Sequence, residues 1–229
     1  MRRAIAAVAL VLATSTYAGT SQLSNTEVAR GLKEALIQGA GKAVAQLGQI
    51  NGFLENPEVK IPLPDHLQRA EKTLRFLGMG KQADELVLRM NRAAEAAVPH
   101  AKDLLVSSVK QMSIADAKTI LSGSEDAATQ YFRKSTSAPL AQKFLPIVQD
   151  AMKDVSLAKQ YNEVAKLGQR YGLIGKEQAT LEDYITQKTL DGVYLMMAEE
   201  EKKIRQNPVR AGSDLLKRVF GAIKTGSGH

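Results

Sequence analysis

The sequence predicts an all-α protein, a single-domain orthogonal helical bundle of about eight helices crossed by one extended proline-containing strap. Three observations predict it. Aromatic residues make up only 5% of the chain. Strand-like apolar alternation is scarce. Six helix-start signals recur where helical apolar periodicity begins. The chain has no cysteine, which excludes disulfides, thiol catalysis and cysteine-bound metal together. Its stability must therefore come from the hydrophobic core.

The N-terminal segment comes first. Arg2 and Arg3 precede an apolar run from Ala4 to Ala13, and Thr16-Tyr17-Ala18 places small residues at the −3 and −1 positions before Gly19. This is the three-part pattern of a secretory signal peptide over residues 1–18. The apolar run falls short of the ~20 residues that span a bilayer. No cysteine follows it, so a lipid anchor on a mature N-terminal cysteine is excluded. Cleavage between Ala18 and Gly19 would deliver a soluble periplasmic chain of roughly 210 residues, enough for one sizeable core. The helical domain is expected over 19–223, with a glycine- and serine-rich disordered tail at 224–229.

The helices follow in order. Ser24-x-x-Glu27 opens the first, to about Leu47, and Asp65-x-x-Gln68, after Pro64, opens the second, to Gly78 or Gly80. Between them, prolines at 57, 62 and 64 forbid a helix. There Val59, Ile61 and Leu63 alternate with other residues, as in a strap that presses one apolar side onto the bundle. Lys81 to Met112 is the longest helical pattern, with Leu86, Met90, Ala93, Ala94 and Ala97 on one face. Pro99 should either bend it or divide it near Val98. Ser113-x-x-Asp116 opens a short helix, and Ser122-x-x-Glu125 another, through about Ser135. Thr180-x-x-Asp183 opens a long one to about Gln206, and Asn207-Pro208 starts the last. The apolar run Gly192 to Ala198 marks the Leu181 helix as the core spine, with Gly192 permitting a close crossing.

The formal charge is +7, and basic residues are interleaved with acidic ones. No basic run alternates with aromatics as a nucleic-acid platform requires, so no nucleic-acid partner is expected. Membrane association would be at most peripheral, through Leu215 to Phe220.

Chemical motifs are weak throughout. The three histidines, His66, His100 and His229, are far apart and do not form a metal site of three or four clustered ligands. The glycines around Lys81 and Lys176 complete no phosphate-binding motif and read as helix caps. SxxK at Ser107 and Ser156 and KTG at Lys224 lack the strand and cleft that such serine enzymes need. No cofactor is expected.

Polar residues on apolar faces are the stronger lead. Glu200 falls between Val193, Met196 and Ile204 on the helical wheel, where a carboxylate is costly unless paired. Arg205, Arg133 and Arg92 are its candidate partners. Asn91 borders the apolar stripe of the long helix, with Glu95 one turn on. The candidate cluster comprises Asn91, Arg92, Glu95, Asp126, Tyr131, Arg133, Asn162, Glu200 and Arg205. It reads first as a hydrogen-bond network that fixes helix register, and second as a ligand or acid–base site.

Several segments carry a family resemblance. Gly31 to Leu36, Met90-Asn91-Arg92-Ala93-Ala94-Glu95, Asp116-Ala117 through Gly123, Asp126-Ala127-Ala128-Thr129-x-Tyr131-Phe132, Tyr161-Asn162 and Glu199 to Arg205 occur in that order. Together they resemble the bacterial domain-of-unknown-function family 4197 across nearly the whole mature chain. The resemblance implies a secreted or periplasmic helical protein and brings no catalytic residues. The expectation is a non-enzymatic binding or scaffold protein of the envelope, contacting an apolar ligand or another envelope protein. The alternatives are an envelope enzyme using Glu200 or Glu95 and a peripheral membrane protein.

Overall fold

The computed structural model describes residues 24–65, 67–68, 75–76, 78, 80–159, 161–162 and 180–207. Among them lie six α-helices: α1 (Asn25–Leu47), α2 (Gly80–Ala97), α3 (Lys102–Gln111), α4 (Ile114–Ser122), α5 (Ala127–Met152) and α6 (Leu181–Gln206). The described residues contain no strand, and shorter helical stretches occur at 156–159 and 161–162. The all-α bundle is as expected, with six helices here against about eight. The helix expected from Asp65 is described only in part. The expected leader, the glycines before Lys176, the helix expected after Pro208 and the expected disordered tail lie outside the described residues.

Local sequence explains where these helices start. Ser24 and Glu27 exchange reciprocal bonds at the head of α1, and Ser113 and Asp116 do the same for α4. Each such box fills two of the amides that a helix start leaves without partners. Thr180 accepts from the Asp183 amide at the head of α6. Pro99 divides the long pattern into two helices joined by a 3-10 turn, Val98–Ala101. It occupies the first turn, where the missing N–H costs least. His100 lies exposed in the same turn.

α5 departs from expectation. It starts at Ala127 and runs to Met152, through Pro139 and Pro146, instead of ending near Ser135. Each proline removes one bond, to the carbonyl four residues back at Ser135 or Gln142. All four residues are exposed, so water can take over those carbonyls. On the opposite side Phe132, Thr136, Leu140, Phe144, Val148 and Met152 form one continuous buried row. Burying these side chains at about 1.5–3 kcal/mol for each large apolar one outweighs the lost bonds.

α6 is the spine. It packs most extensively on α5 and also on α1 and α2, while α5 bridges to α2. Its run from Gly192 to Ala198 is buried on most sides, although Leu195 remains 41% exposed. Gly192 does a different job from the expected helix crossing. A Cβ there would lie 2.7 Å from Cε1 of Phe53 and 3.4 Å from Cβ of Val59, so the glycine is a notch for the strap. Phe53 fills it and is fully buried.

The strap itself runs from the end of α1 to Pro64. Val59, Ile61 and Leu63 face inward and are buried, whereas Lys60 and Pro62 face out. A hollow of about 480 Å³ lies between the strap residues Leu54, Lys60, Pro62 and Leu63 and Ala83 and Val87 of α2.

Candidate functional site

Three of the predicted polar residues hold the strap. The Asn91 carboxamide is fully buried; it accepts from the Ile61 amide at 2.8 Å and donates to the Ile61 carbonyl at 2.9 Å. Its second N–H reaches the Val87 carbonyl at 2.8 Å. One side chain thus does for Ile61 what a neighbouring strand would do. One turn on, Glu95 Oε1 accepts from the amides of Phe53 and Leu54 at 3.0 and 3.1 Å. Its Oε2 accepts from Arg92, whose other nitrogen donates to Asn51 Oδ1 at 2.6 Å. Asn51 sits at φ +68°, a left-handed conformation that asparagine tolerates better than most residues. Asn91→Ala should strand both Ile61 groups and lower stability by about 2 kcal/mol, read from urea unfolding. Proteolysis within 51–64 should speed up in parallel, and an unchanged cleavage rate would argue against the clamp.

A second assembly involves a residue that sequence reasoning missed. Glu201 is 6% exposed. Its Oε1 accepts from the Ala128 amide at 3.0 Å, and its Oε2 from the Thr129 amide at 2.9 Å and the Thr129 hydroxyl at 3.0 Å. Glu201 therefore acts as the N-cap of α5, delivered from α6. Asp126, at the capping position, makes no cap bond. It accepts instead from Gln130 and Ser124, which in that order hold its carboxyl below the usual range. Arg205, the predicted partner of Glu200, pairs with Glu201 at 2.8 Å and donates to the Ile120 carbonyl near the end of α4, also at 2.8 Å. A carboxylate at one helix start and a guanidinium at another helix end both match the helix dipole. The available signal was the row Leu190, Tyr194, Met197, Glu201 at helical spacing, with Arg205 four residues on.

The remaining members of the expected cluster serve other contacts. Arg133 pairs with Asp191 at 3.1 Å and lies 4.8 Å above the Tyr194 ring. Tyr194 is buried, with its hydroxyl 2.9 Å from that of Thr136. Tyr131 packs edge-on against Phe132. Asn162 accepts from the Leu181 amide at 2.7 Å and donates to Glu182, reinforcing the head of α6. The expected single cluster is thus divided among several places, because each polar group serves the helix end or strap nearest to it.

Tyr184 joins the strap to α6 by donating to the Pro62 carbonyl at 3.1 Å. Burial, then the charges of Asp65 and Tyr161, push its hydroxyl up to about 12. A raised acid favours its neutral form in the folded state. Its contribution is therefore complete below the unfolded value of about 10 and is lost as pH rises through about 12. Absorbance titration should show a late tyrosine step that Tyr184→Phe reduces, the remainder coming from Tyr161, which burial also raises. The variant should also lose less stability across that window.

Glu200 stands apart from these clamps. It is 8% exposed. Its Oε1 accepts from Lys203 at 2.8 Å, while the Lys42 ammonium lies 3.9 Å from Oε2. Its neighbours are thus lysines, not the three arginines expected, because its side of α6 turns toward α1. It lines a hollow of about 490 Å³ with Gln38, Lys42, Lys203 and Ile204. Lys203 is held above the usual lysine value by its bond to Glu200, with Glu199 and Glu58 adding to the negative field.

Comparison with known proteins adds one finding. Residues 22–221 match the family described as "Protein of unknown function (DUF4197)". The chain belongs to this family. No curated protein and no solved structure matches it. The segments that carry the DUF4197 resemblance acquire physical roles in the structure. Met90 to Glu95 holds the strap clamp, and Asp126 to Phe132 presents its first amides to the Glu201–Arg205 pair. In this member of DUF4197, both segments are explained by folding.

Proposed function

We propose that this protein is an exported, non-enzymatic binding or scaffold protein of the cell envelope, and that the hollow at Glu200 is where it takes up a ligand. The observation that carries the reading is the contrast between two sets of buried polar groups. Asn91, Glu95 and Glu201 have their hydrogen-bonding capacity engaged by backbone amides and arginines. Glu200 instead opens onto a hollow whose volume lies within the ~300–1,000 Å³ of small-molecule sites. The export half of the reading is supported by the three-part leader over residues 1–18. Among the described residues, no helix is long and apolar enough to cross a membrane.

The catalytic alternative asks for a second carboxylate or a tyrosine within hydrogen-bond reach of Glu200. The close neighbours are Lys203 and Lys42, and Glu95 is engaged by the strap. Those contacts favour binding over acid–base work. The peripheral-membrane alternative rested on 215–220, which lies outside the described residues.

The test combines localisation and mass. In a bacterial host, the protein from a periplasmic fraction should begin at Gly19. Native mass spectrometry after exposure to envelope extract should show an adduct that Glu200→Ala reduces. A full-length product confined to the cytosol would overturn the export half, and adducts indifferent to Glu200→Ala would overturn the site.

A further inference from the structure

We infer that Asn51 is a self-modification site: water converts its side-chain amide to aspartate or isoaspartate whenever the Arg92–Glu95 clamp opens, and the isoaspartate form lets go of the strap. Asn51-Gly52 is the only asparagine–glycine pair in the sequence. In such a pair the glycine nitrogen, with no side chain to shield it, attacks Cγ of the asparagine. A bond from Gly52 N to Asn51 Cγ forms, the Cγ–Nδ2 bond breaks, and Nδ2 leaves as ammonia with the proton that the glycine nitrogen gives up. Water then opens the cyclic imide at either carbonyl. One opening leaves aspartate. The other leaves isoaspartate, in which the main chain runs through Cβ and Cγ.

Neither residue of the pair is easily exchanged. A Cβ on Gly52 would lie 2.5 Å from the Leu47 carbonyl oxygen and 2.6 Å from that of Gln46. Asn51 sits at φ +68°, where few other side chains are tolerated. The folded turn meanwhile withholds the reacting atoms from one another. The Gly52 amide donates to the Gln49 carbonyl at 3.0 Å. The Asn51 carboxamide is held at both ends, with Oδ1 accepting from Arg92 at 2.6 Å and Nδ2 donating to Glu55 Oε1 at 2.6 Å. Arg92 is itself held by Glu95, whose other oxygen accepts from the Phe53 and Leu54 amides. To bring Cγ into line with the Gly52 nitrogen, as attack demands, the carboxamide must leave Arg92 and Glu55. Charge-assisted bonds resist that more strongly than neutral ones.

The turn has no room for the isoaspartate product. An extra main-chain carbon enters between Asn51 and Gly52, beside the carbonyls that already crowd Gly52. The added length falls on Phe53 and Leu54, whose amides reach Glu95 at 3.0 and 3.1 Å. It falls also on the Phe53 ring in the Gly192 notch. Aspartate acts differently. It keeps the chain length and an oxygen for Arg92, and its new charge faces Glu55, an exposed side chain that can swing into water. One turn thus yields an aspartate form with the strap seated and an isoaspartate form with it released, which marks aged copies for proteolysis.

The test incubates the whole protein in mildly alkaline buffer, native and in urea. Peptide mapping by chromatography and mass spectrometry separates asparagine, aspartate and isoaspartate at position 51. Conversion is expected to run at least about tenfold faster in urea, because the native turn must first open. Arg92→Met and Glu55→Ala should each speed native conversion. Glu55 is exposed, so its variant keeps the fold, and circular dichroism checks both. Equal rates native and in urea, or unchanged conversion in both variants, overturn the gating. Slower conversion in Arg92→Met also overturns it, since Arg92 would then be activating the Asn51 carbonyl. For the release, the isoaspartate form isolated from aged protein should be cut within 51–64 at least about tenfold faster than unmodified protein. Asn51→Asp should be cut at close to the wild-type rate. Equal cutting of all three, or of the isoaspartate and Asn51→Asp forms, overturns the release.

Discussion

Glu201→Ala is expected to lower the unfolding free energy by about 3–5 kcal/mol, the range for breaking a buried charge pair by removing one partner. Three losses coincide. The Ala128 and Thr129 amides lose their only cap, because Asp126 makes no cap bond in its place. Arg205, with a side chain 17% exposed, loses its countercharge. Its anchoring of the Ile120 carbonyl then loosens as well. Glu201→Gln should fall between wild type and alanine, since an amide oxygen can still accept from one backbone N–H but brings no charge. Urea unfolding with both variants reads the series. An alanine loss below about 1 kcal/mol would mean that water replaces the carboxylate at the head of α5.

The second large effect is at the strap notch. Phe53→Ala should lower stability by about 3–5 kcal/mol, the usual cost of deleting a fully buried aromatic ring. Gly192→Ala should lower it by about 1–3 kcal/mol through overpacking, because its new methyl would sit 2.7 Å from the Phe53 ring. The ring cannot retreat easily, as the Phe53 amide is held by Glu95. The informative measurement is the double variant. With the ring gone, alanine at 192 should cost little and even regain helix propensity over glycine. Its loss should then be smaller than the sum of the two single losses, the sign of direct coupling. Simple additivity would place the clash elsewhere.

How legible each feature was depended on how far its partner lies along the chain. The capping residues Ser24, Ser113 and Thr180 were readable because each cap is complete within three residues. The strap was readable from Pro57, Pro62 and Pro64 and the alternation of Val59, Ile61 and Leu63, and these three are buried. Asn91 and Glu95 stood out as polar groups on an apolar stripe, although their strap partners 30 and 42 residues away could not be named. Glu201 stayed hidden beside Glu200 because its amide partners are 72 and 73 residues distant. Glu200 was found, but wheel geometry gives a direction without the neighbouring helix, and α1 supplied Lys42 where arginines had been expected. Pro139 and Pro146 misled because local propensity counts a lost bond and omits the burial of Leu140, Phe144 and Val148.

The strap has a further consequence for life in a concentrated compartment. An extended apolar segment ordinarily offers unpaired amides and carbonyls along its margin, a template on which other chains can stack. Here Asn91 occupies both groups of Ile61, Asn56 accepts from Lys60, Tyr184 covers the Pro62 carbonyl, and Pro62 has no amide to offer. Recruitment into fibrils through residues 59–63 would first require these bonds to break, so resistance to amyloid growth should decline in step with whatever loosens Asn91 and Tyr184.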